Sequence, residues 1–249
     1  MAGNKRLDVL LVDIGLATDI RQSQALIGAG QVLVNTRTDY KAGSLLPVDS
    51  EIIVKQKPRF VSRAGEKLES GLKELAIDPS GWICADIGCS TGGFTDCLLQ
   101  WGAGRVYSVD VGYGLLDWKL RQDERVIVLE RTNARYLSRE QIPEPLDFVV
   151  IDASFISLQQ LLRPLLSLFG AQVRIMVLVK PQFELPREKV GQGGIVRDSD
   201  LHEEAVTMVK GFGKEAGLIC RGEIASPVRG AKGNQEFVLY FTSTKAKKK

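Results

Sequence analysis

The sequence predicts an α/β protein in which a mostly parallel, seven-stranded sheet wrapped by helices follows a small α+β unit. Two observations carry this. After Gly81, short apolar runs alternate with helical stretches, the signature of strands buried on both faces and joined by crossover helices. Before Lys55, apolar residues recur at helical spacing and only brief strand-like runs appear. The patterns meet at KQKPRFVSR, Lys55 to Arg63, a polar, basic stretch interrupted by Pro58. A chain of 249 residues, 44% hydrophobic and 25% charged, has the length for a medium domain plus a small one and the composition of an ordinary globular protein.

In the first unit, Leu7, Leu10, Leu11 and Ile14, then Ala25, Leu26 and Ile27, predict two short helices between Arg6 and Gly30. Gly15 and Gly30 supply the stops, and Thr18 or Asp19 caps the second helix. Gln31 to Asn35 and Val48 to Val54 read as strands. The segment KRLDVLLVDIGLATDIRQSQALIGAGQVLVN resembles the S4 domain, a small RNA-binding fold, which implies an S4-like RNA-binding domain over residues 1–58. That resemblance puts Arg6, Arg21 and Gln24 on a face that meets RNA. Lys55, Lys57, Arg59 and Arg63 extend the basic character across a linker at residues 59–64, although taken alone such charges read equally well as solvated surface.

The second domain is expected over residues 65–244, with a basic tail at 245–249. A helix is predicted from Gly65 to Leu75, then strands at Ile83 to Ile87, Arg105 to Val111, Val126 to Leu129, Leu146 to Asp152, Arg174 to Lys180, Leu218 to Ala225 and Glu236 to Thr242. The first strand runs into DIGCSTGGF, Asp86 to Phe94. In open parallel sheets ligands gather at the carboxyl ends of strands, so this turn is the expected ligand site. Gly88, Gly92 and Gly93 allow a tight turn and close approach, but Ser90 stands where a dinucleotide fingerprint wants its second glycine. The motif instead resembles the S-adenosylmethionine turn of Rossmann-like methyltransferases, which implies that Asp86, Gly88, Ser90, Thr91, Gly92, Gly93 and Phe94 surround S-adenosyl-L-methionine. Asp110, ending the next strand, offers paired acceptors to ribose hydroxyls, and Asn133 is placed for an adenine edge.

Lys67, Asp152, Lys180 and Glu236 are the candidate catalytic residues. Asp152 and Lys180 each close an apolar strand, where a charge is expensive without a purpose. Taken singly, Lys67 is one helix charge among Glu66, Glu69 and Lys73, and Glu236 an edge-strand gatekeeper. As a set of Lys, Asp, Lys and Glu the four resemble the FtsJ-like ribose 2′-O-methyltransferases. With the S4-like segment and the loop GQGGIVRD, Gly191 to Asp198, the whole chain resembles the TlyA family, also called hemolysin A. One departure is Ala64, where that family commonly has glycine. The resemblance implies methylation of ribosomal RNA at a cytidine, with ribosomal RNA or ribosomal subunits as partners.

The chemistry agrees with the residue types. A ribose hydroxyl is a poor nucleophile unless its proton is removed or its charge stabilised, and lysine does either. With an ordinary pKa of about 10.4, a lysine serves as a base only where burial or a second ammonium lowers that value. Lys180 is therefore expected as general base, or as the group that orients the hydroxyl until late proton loss. Asp152 would hold Lys180 and touch the methionine end of the cofactor, Lys67 would position the ribose, and Glu236 would fix Lys67 or accept from the ribose. Phe155 and Phe183, beside apolar runs, read as core.

Formal charge is +3, from 33 Lys and Arg against 30 Asp and Glu, so bulk charge does not announce a polyanion partner. Four cysteines without a CxxC pair and a single His202 argue against metal, and Cys84, Cys89 and Cys97 read as small buried hydrophobes of a reducing cytosol. No stretch approaches the roughly 18 uninterrupted apolar residues of a membrane span, and the N-terminus lacks a secretory pattern, so a cytoplasmic protein is expected; the oligomeric state is left open, with a monomer favoured. A non-catalytic RNA-binding or assembly factor and a membrane-active hemolysin remain the competing readings.

Overall fold

The computed structural model describes residues 3–55, 58–230 and 232–244. The chain divides into two compact units, Met1–Arg59 and Phe60–Lys249.

In the first unit, β1 (Asn4–Arg6) leads into α1 (Leu7–Asp13) and α2 (Ile20–Gly28), followed by β2 (Val32–Val34), β3 (Leu45–Pro47) and β4 (Ile52–Val54). β1 pairs with β3 and β2 with β4, both antiparallel. Of the two expected caps Asp19 is the one used: its carboxylate accepts from Gln22 N–H at 2.8 Å, while the Gln22 side chain reaches back to Thr18 N. Leu7, Leu10, Leu11 and Ile27 of the helices close over Val32, Val34 and Leu46. The strand expected at Val48 to Val54 begins only at Ile52, because Ser50 turns the chain back by donating to Pro47 O at 2.7 Å.

The second unit opens differently from expectation. Phe60 to Arg63, read as linker, belong to its fold: Phe60 is buried, and Val61 N–H donates to Asp96 Oδ2 at 2.8 Å. Then come α3 (Ala64–Glu74), β5 (Ile83–Ile87), α4 (Gly93–Gln100), β6 (Arg105–Val109), α5 (Trp118–Arg121), β7 (Val126–Leu129), β8 (Phe148–Ile151), α6 (Gln159–Leu165), β9 (Gln172–Val179), α7 (Pro181–Glu184), α8 (Ser199–Glu215), β10 (Ile219–Ala225) and β11 (Phe237–Thr244). The seven strands lie in the order β10-β11-β9-β8-β5-β6-β7. β5 through β9 pair in parallel, whereas β11 is inserted antiparallel between β9 and β10.

Because successive side chains of a strand face opposite ways, each strand feeds two cores. Ala85, Ile87, Val149, Ile151, Val177 and Val179 face Leu161 and Leu165 of α6 and Val206 and Val209 of α8. Cys84, Val150, Met176, Leu178 and Val238 face Leu68 and Leu72 of α3 and Phe94 and Leu98 of α4. The alternation continues past the strand ends. It assigns Asp86, Asp152, Lys180 and Glu236 to the face covered by α3 and α4. From β5 the chain first builds β6 and β7 to one side and then β8 and β9 to the other, so strand order reverses between β5 and β8. The crevice at that reversal is where such a sheet takes its ligand.

Candidate active site

Two adjoining cavities open at this crevice and share Gly88, Ser90, Asp152 and Ser154. The larger, about 430 Å³, lies on the β6 side and includes Asp110, Asn133, Leu115 and Phe155. The smaller, about 220 Å³, is walled by Asp86, Thr91, Gly93, Phe94 and Lys180, with Ser62 and Ala64.

The turn after β5 builds the shared wall. Gly88 has φ +82°, and a Cβ there would sit 2.8 Å from Asp152 O, so the backbone of the β8 end lies directly against it. Ser90, standing where a dinucleotide site has glycine, is itself left-handed at φ +48°. It is held there by donating its N–H to Asp110 Oδ2 at 2.8 Å. Asp110 Oδ1 accepts from Gly112 N at 2.7 Å, so each carboxylate oxygen retains a lone pair for a second donor. Asn133 spends its Oδ1 on Arg135 N at 3.1 Å, which turns its NH2 into the available donor. Gly92 lines neither cavity: it precedes α4, where a Cβ would run into Leu116 and Leu120.

Asp86 is fully buried beneath the smaller cavity. Thr95 donates to Asp86 Oδ2 from its N at 2.9 Å and its hydroxyl at 2.7 Å, while Oδ1 has no partner among the described residues. Burial pushes this carboxyl up to about 7 against the opposing pull of the Thr95 hydrogen bonds, and the nearby carboxylates of Asp152 and Asp110 push the same way.

The four catalytic candidates form two ion pairs. Lys180 Nζ is 2.6 Å from Asp152 Oδ1 and donates to Ser154 Oγ at 2.8 Å. Lys67 Nζ donates to Glu236 Oε2 at 2.5 Å, joining α3 to the start of β11. All four are sheltered, with Lys67, Lys180 and Glu236 at 8%, 9% and 2% exposure. Lys67 and Glu236 do not line either cavity. The antiparallel register Phe237↔Val179 nevertheless puts Glu236 next to Lys180 at the sheet edge, so the two pairs are neighbours.

Phe155 corrects the expectation of a core aromatic. It is 91% exposed with φ +64°, and its ring rests on Phe183 at 5.1 Å between centroids. β8 ends at Ile151, and Phe155, four residues past that end, stands clear of the layers that cover the sheet. A bulky residue held left-handed costs about 1 to 3 kcal/mol, a strain that collects at functional sites. Ser154, which orients Lys180, and Ser62, on the cavity wall, were not read from sequence, since isolated serines in loops carry no pattern.

In the first unit, Arg6 and Gln24 converge on a residue the sequence reading passed over. Arg6 donates to Asp8 through Nε at 3.0 Å and Nη2 at 2.6 Å, and Gln24 Nε2 donates to Asp8 at 3.0 Å. The Arg6 hydrogen bonds hold the Asp8 carboxyl down at about 2, against the upward push of burial. Arg21 and Lys55 are exposed, as are Arg59 and Arg63; Lys57 and the basic tail at 245–249 lie outside the described residues.

Residues 60–243 match the FtsJ-like methyltransferases. The chain is 42% identical over 243 residues to the 16S/23S rRNA (cytidine-2′-O)-methyltransferase TlyA of Mycobacterium tuberculosis, covering 97% of this chain and 91% of that one. It is 39% identical over 238 residues to hemolysin A of Brachyspira hyodysenteriae, covering 95% and 99%. A solved structure from Streptococcus thermophilus, named as a candidate hemolysin, superimposes with a TM-score of 0.75 at 39% identity over 99% of this chain and 90% of that one. An S-adenosylmethionine-dependent methyltransferase of Aquifex aeolicus, 19% identical with a TM-score of 0.51, shares the fold over 74% of this chain and 94% of its own.

Proposed function

The chain belongs to the FtsJ-like methyltransferase family, and on that premise we propose that it moves a methyl group from S-adenosyl-L-methionine to a ribose 2′-hydroxyl, at a cytidine of ribosomal RNA. The observation that carries this reading is the adjacency of two sheltered ammonium–carboxylate pairs at the cofactor crevice. The crevice suits the cofactor on its own chemistry. The unpartnered Asp86 Oδ1 and the Gly88 wall fit its cationic methionine end, while the spare lone pairs of Asp110 and the Asn133 NH2 fit its ribose and adenine.

When bound, the cofactor supplies an electrophilic methyl group on its sulfonium. Lys180, fixed by Asp152 and Ser154, orients the hydroxyl and offsets the negative charge that develops as its oxygen reacts, with the hydroxyl proton passing late to solvent. Lys67, fixed by Glu236, holds the sugar. Alignment of this kind contributes roughly 7 to 11 kcal/mol to such a reaction. Phe155 presents a face on which the nucleobase stacks, a contact of about 1 to 3 kcal/mol. Residues 1–58 act as an S4-like grip on the RNA through the face bearing Arg6, Arg21 and Gln24, in the cytoplasm where ribosomal RNA is made available.

Among the described residues no helix is long and apolar enough to cross a membrane. The test is incubation with labelled S-adenosyl-L-methionine and ribosomal RNA from cells lacking this protein. The expected product is a nuclease-resistant linkage at a cytidine; label on a base, or none, overturns the reading.

A further inference from the structure

A third cavity, about 440 Å³, lies between residues 195–197 and residues 229, 232, 233 and 235, and among the described residues its charged and titratable lining is Arg197, His202, Arg229 and Lys232, with no carboxylate. The cations are held without being neutralised. Arg229 Nη1 donates to Gly233 O at 3.1 Å and Lys232 Nζ to Gly193 O at 3.0 Å. Neither they nor Arg197 has an ion pair among the described residues, whereas Lys189 and Lys210 on the same unit pair with Glu204 and Glu223. Like charges gathered around one concavity repel one another, and an anion seated there relieves that repulsion.

The cleft is built rather than accidental. Asn234, 2% exposed, buckles its two walls together: Val196 N–H donates to its Oδ1 at 2.9 Å, and its Nδ2 donates to Gly194 O at 2.8 Å. His202 stiffens the base, with Nε2 3.0 Å from Val196 O and its ring tilted onto Phe237 at 5.6 Å. Gln235 lines the cleft, and the next residue, Glu236, holds Lys67 in the active site. One residue of chain, about 3.8 Å, therefore separates the wall of the cleft from the catalytic pair. Two guanidinium forks and an ammonium match the phosphate group.

We propose that this cleft is a second RNA seat, which takes backbone phosphates of the single strand flanking the ribose that is methylated. It rests on the ribose-methylation reading and adds a grip within the catalytic unit itself. The test is the full-length variant Arg197→Glu, Arg229→Glu, Lys232→Glu, with binding of a ribosomal RNA fragment measured across salt concentrations alongside steady-state methylation.

The RNA Kd is expected to rise at least about tenfold at low salt, and the slope of log affinity against log salt to fall by about 2, at roughly 0.7 per single-strand phosphate contact. KM for RNA should rise in step, while kcat at saturating RNA, cofactor affinity and Tm hold. Unchanged RNA affinity and slope overturn the proposal, including in favour of an acidic protein segment as the occupant; so does a fall confined to kcat. Should the triple variant not fold, Arg229→Gln alone should lower the slope by about 0.7. Absence of ribose methylation by the wild-type protein sinks the parent reading and not the cleft, whose salt slope is read from binding.

Discussion

The catalytic unit keeps its cations in two ways. Lys67 and Lys180 are sheltered, each set against one carboxylate at 2.5 and 2.6 Å, whereas Arg197, Arg229 and Lys232 are exposed, with no ion pair among the described residues. A buried charge without a partner costs several kcal/mol, so the first group is fixed in place by necessity. An exposed charge tolerates being unpaired, acts at longer range and is screened by salt. Precise chemistry is thereby separated from loose grip within one domain, and each population should fail in its own way.

The largest effect is expected at Lys180. Lys180→Ala should lower single-turnover methylation by about 10²- to 10³-fold, the worth of one donor aimed at developing negative charge, while calorimetric cofactor affinity changes little. Methylation within a few-fold of wild type would erase the distinction between the two groups. Glu236→Ala comes next, since it leaves Lys67 sheltered without its carboxylate. Urea unfolding should register a loss of about 3 to 5 kcal/mol, with Lys67→Met plus Glu236→Leu losing less than Glu236→Ala alone. The exposed pair of Lys210 and Glu223 is the control, where Glu223→Ala should cost under about 1 kcal/mol.

Asp86 sharpens the contrast from the other side, as a buried carboxyl with no cation paired to it among the described residues, raised to about 7 chiefly by burial. A cationic cofactor end favours the ionised form, so cofactor affinity should climb as pH rises toward and past about 7, by up to tenfold per unit below it, and flatten in Asp86→Asn. Without cofactor the folded state keeps a proton that the unfolded chain releases above about pH 4. The stability Asp86 contributes is therefore full below that point and declines as pH rises through about 7, a decline that Asp86→Asn should remove.

The smallest effect belongs to the first unit. Arg21, exposed, should lose only one phosphate contact on Arg21→Ala, a change of about 0.7 to 0.9 in the salt slope. Arg6→Ala should additionally weaken folding, because Asp8 is left buried with Gln24 as its remaining side-chain donor among the described residues.

Much of this was legible in residue order. The apolar runs located every strand of the large sheet within about two residues, since burial on both faces writes itself into local composition. Asp152 and Lys180 stood out because they follow Ile151 and Val179, where polarity has no local excuse. The Asp86-to-Phe94 turn was equally visible, although the left-handed backbone of Ser90 was seen only in the fold. What misled was neighbourhood: Phe155 sits beside an apolar run yet is uncovered, and Phe60 sits in a polar run yet is buried.

Local pattern, then, determined the α/β class, the succession of elements and the residue types at the strand ends, because periodicity and turn chemistry act over a few residues. Only the folded chain decided which strands became neighbours. The antiparallel insertion of β11 beside β9 sets Glu236 against a lysine 169 positions away, and Asn234 joins loops 38 positions apart to form the basic cleft. Asp152 for Lys180 and Glu236 for Lys67 were expected only with the family resemblance in hand; nothing in the spacing of the carboxylates chose among them. Strand order made that choice, through contacts whose closure depends on the whole sheet.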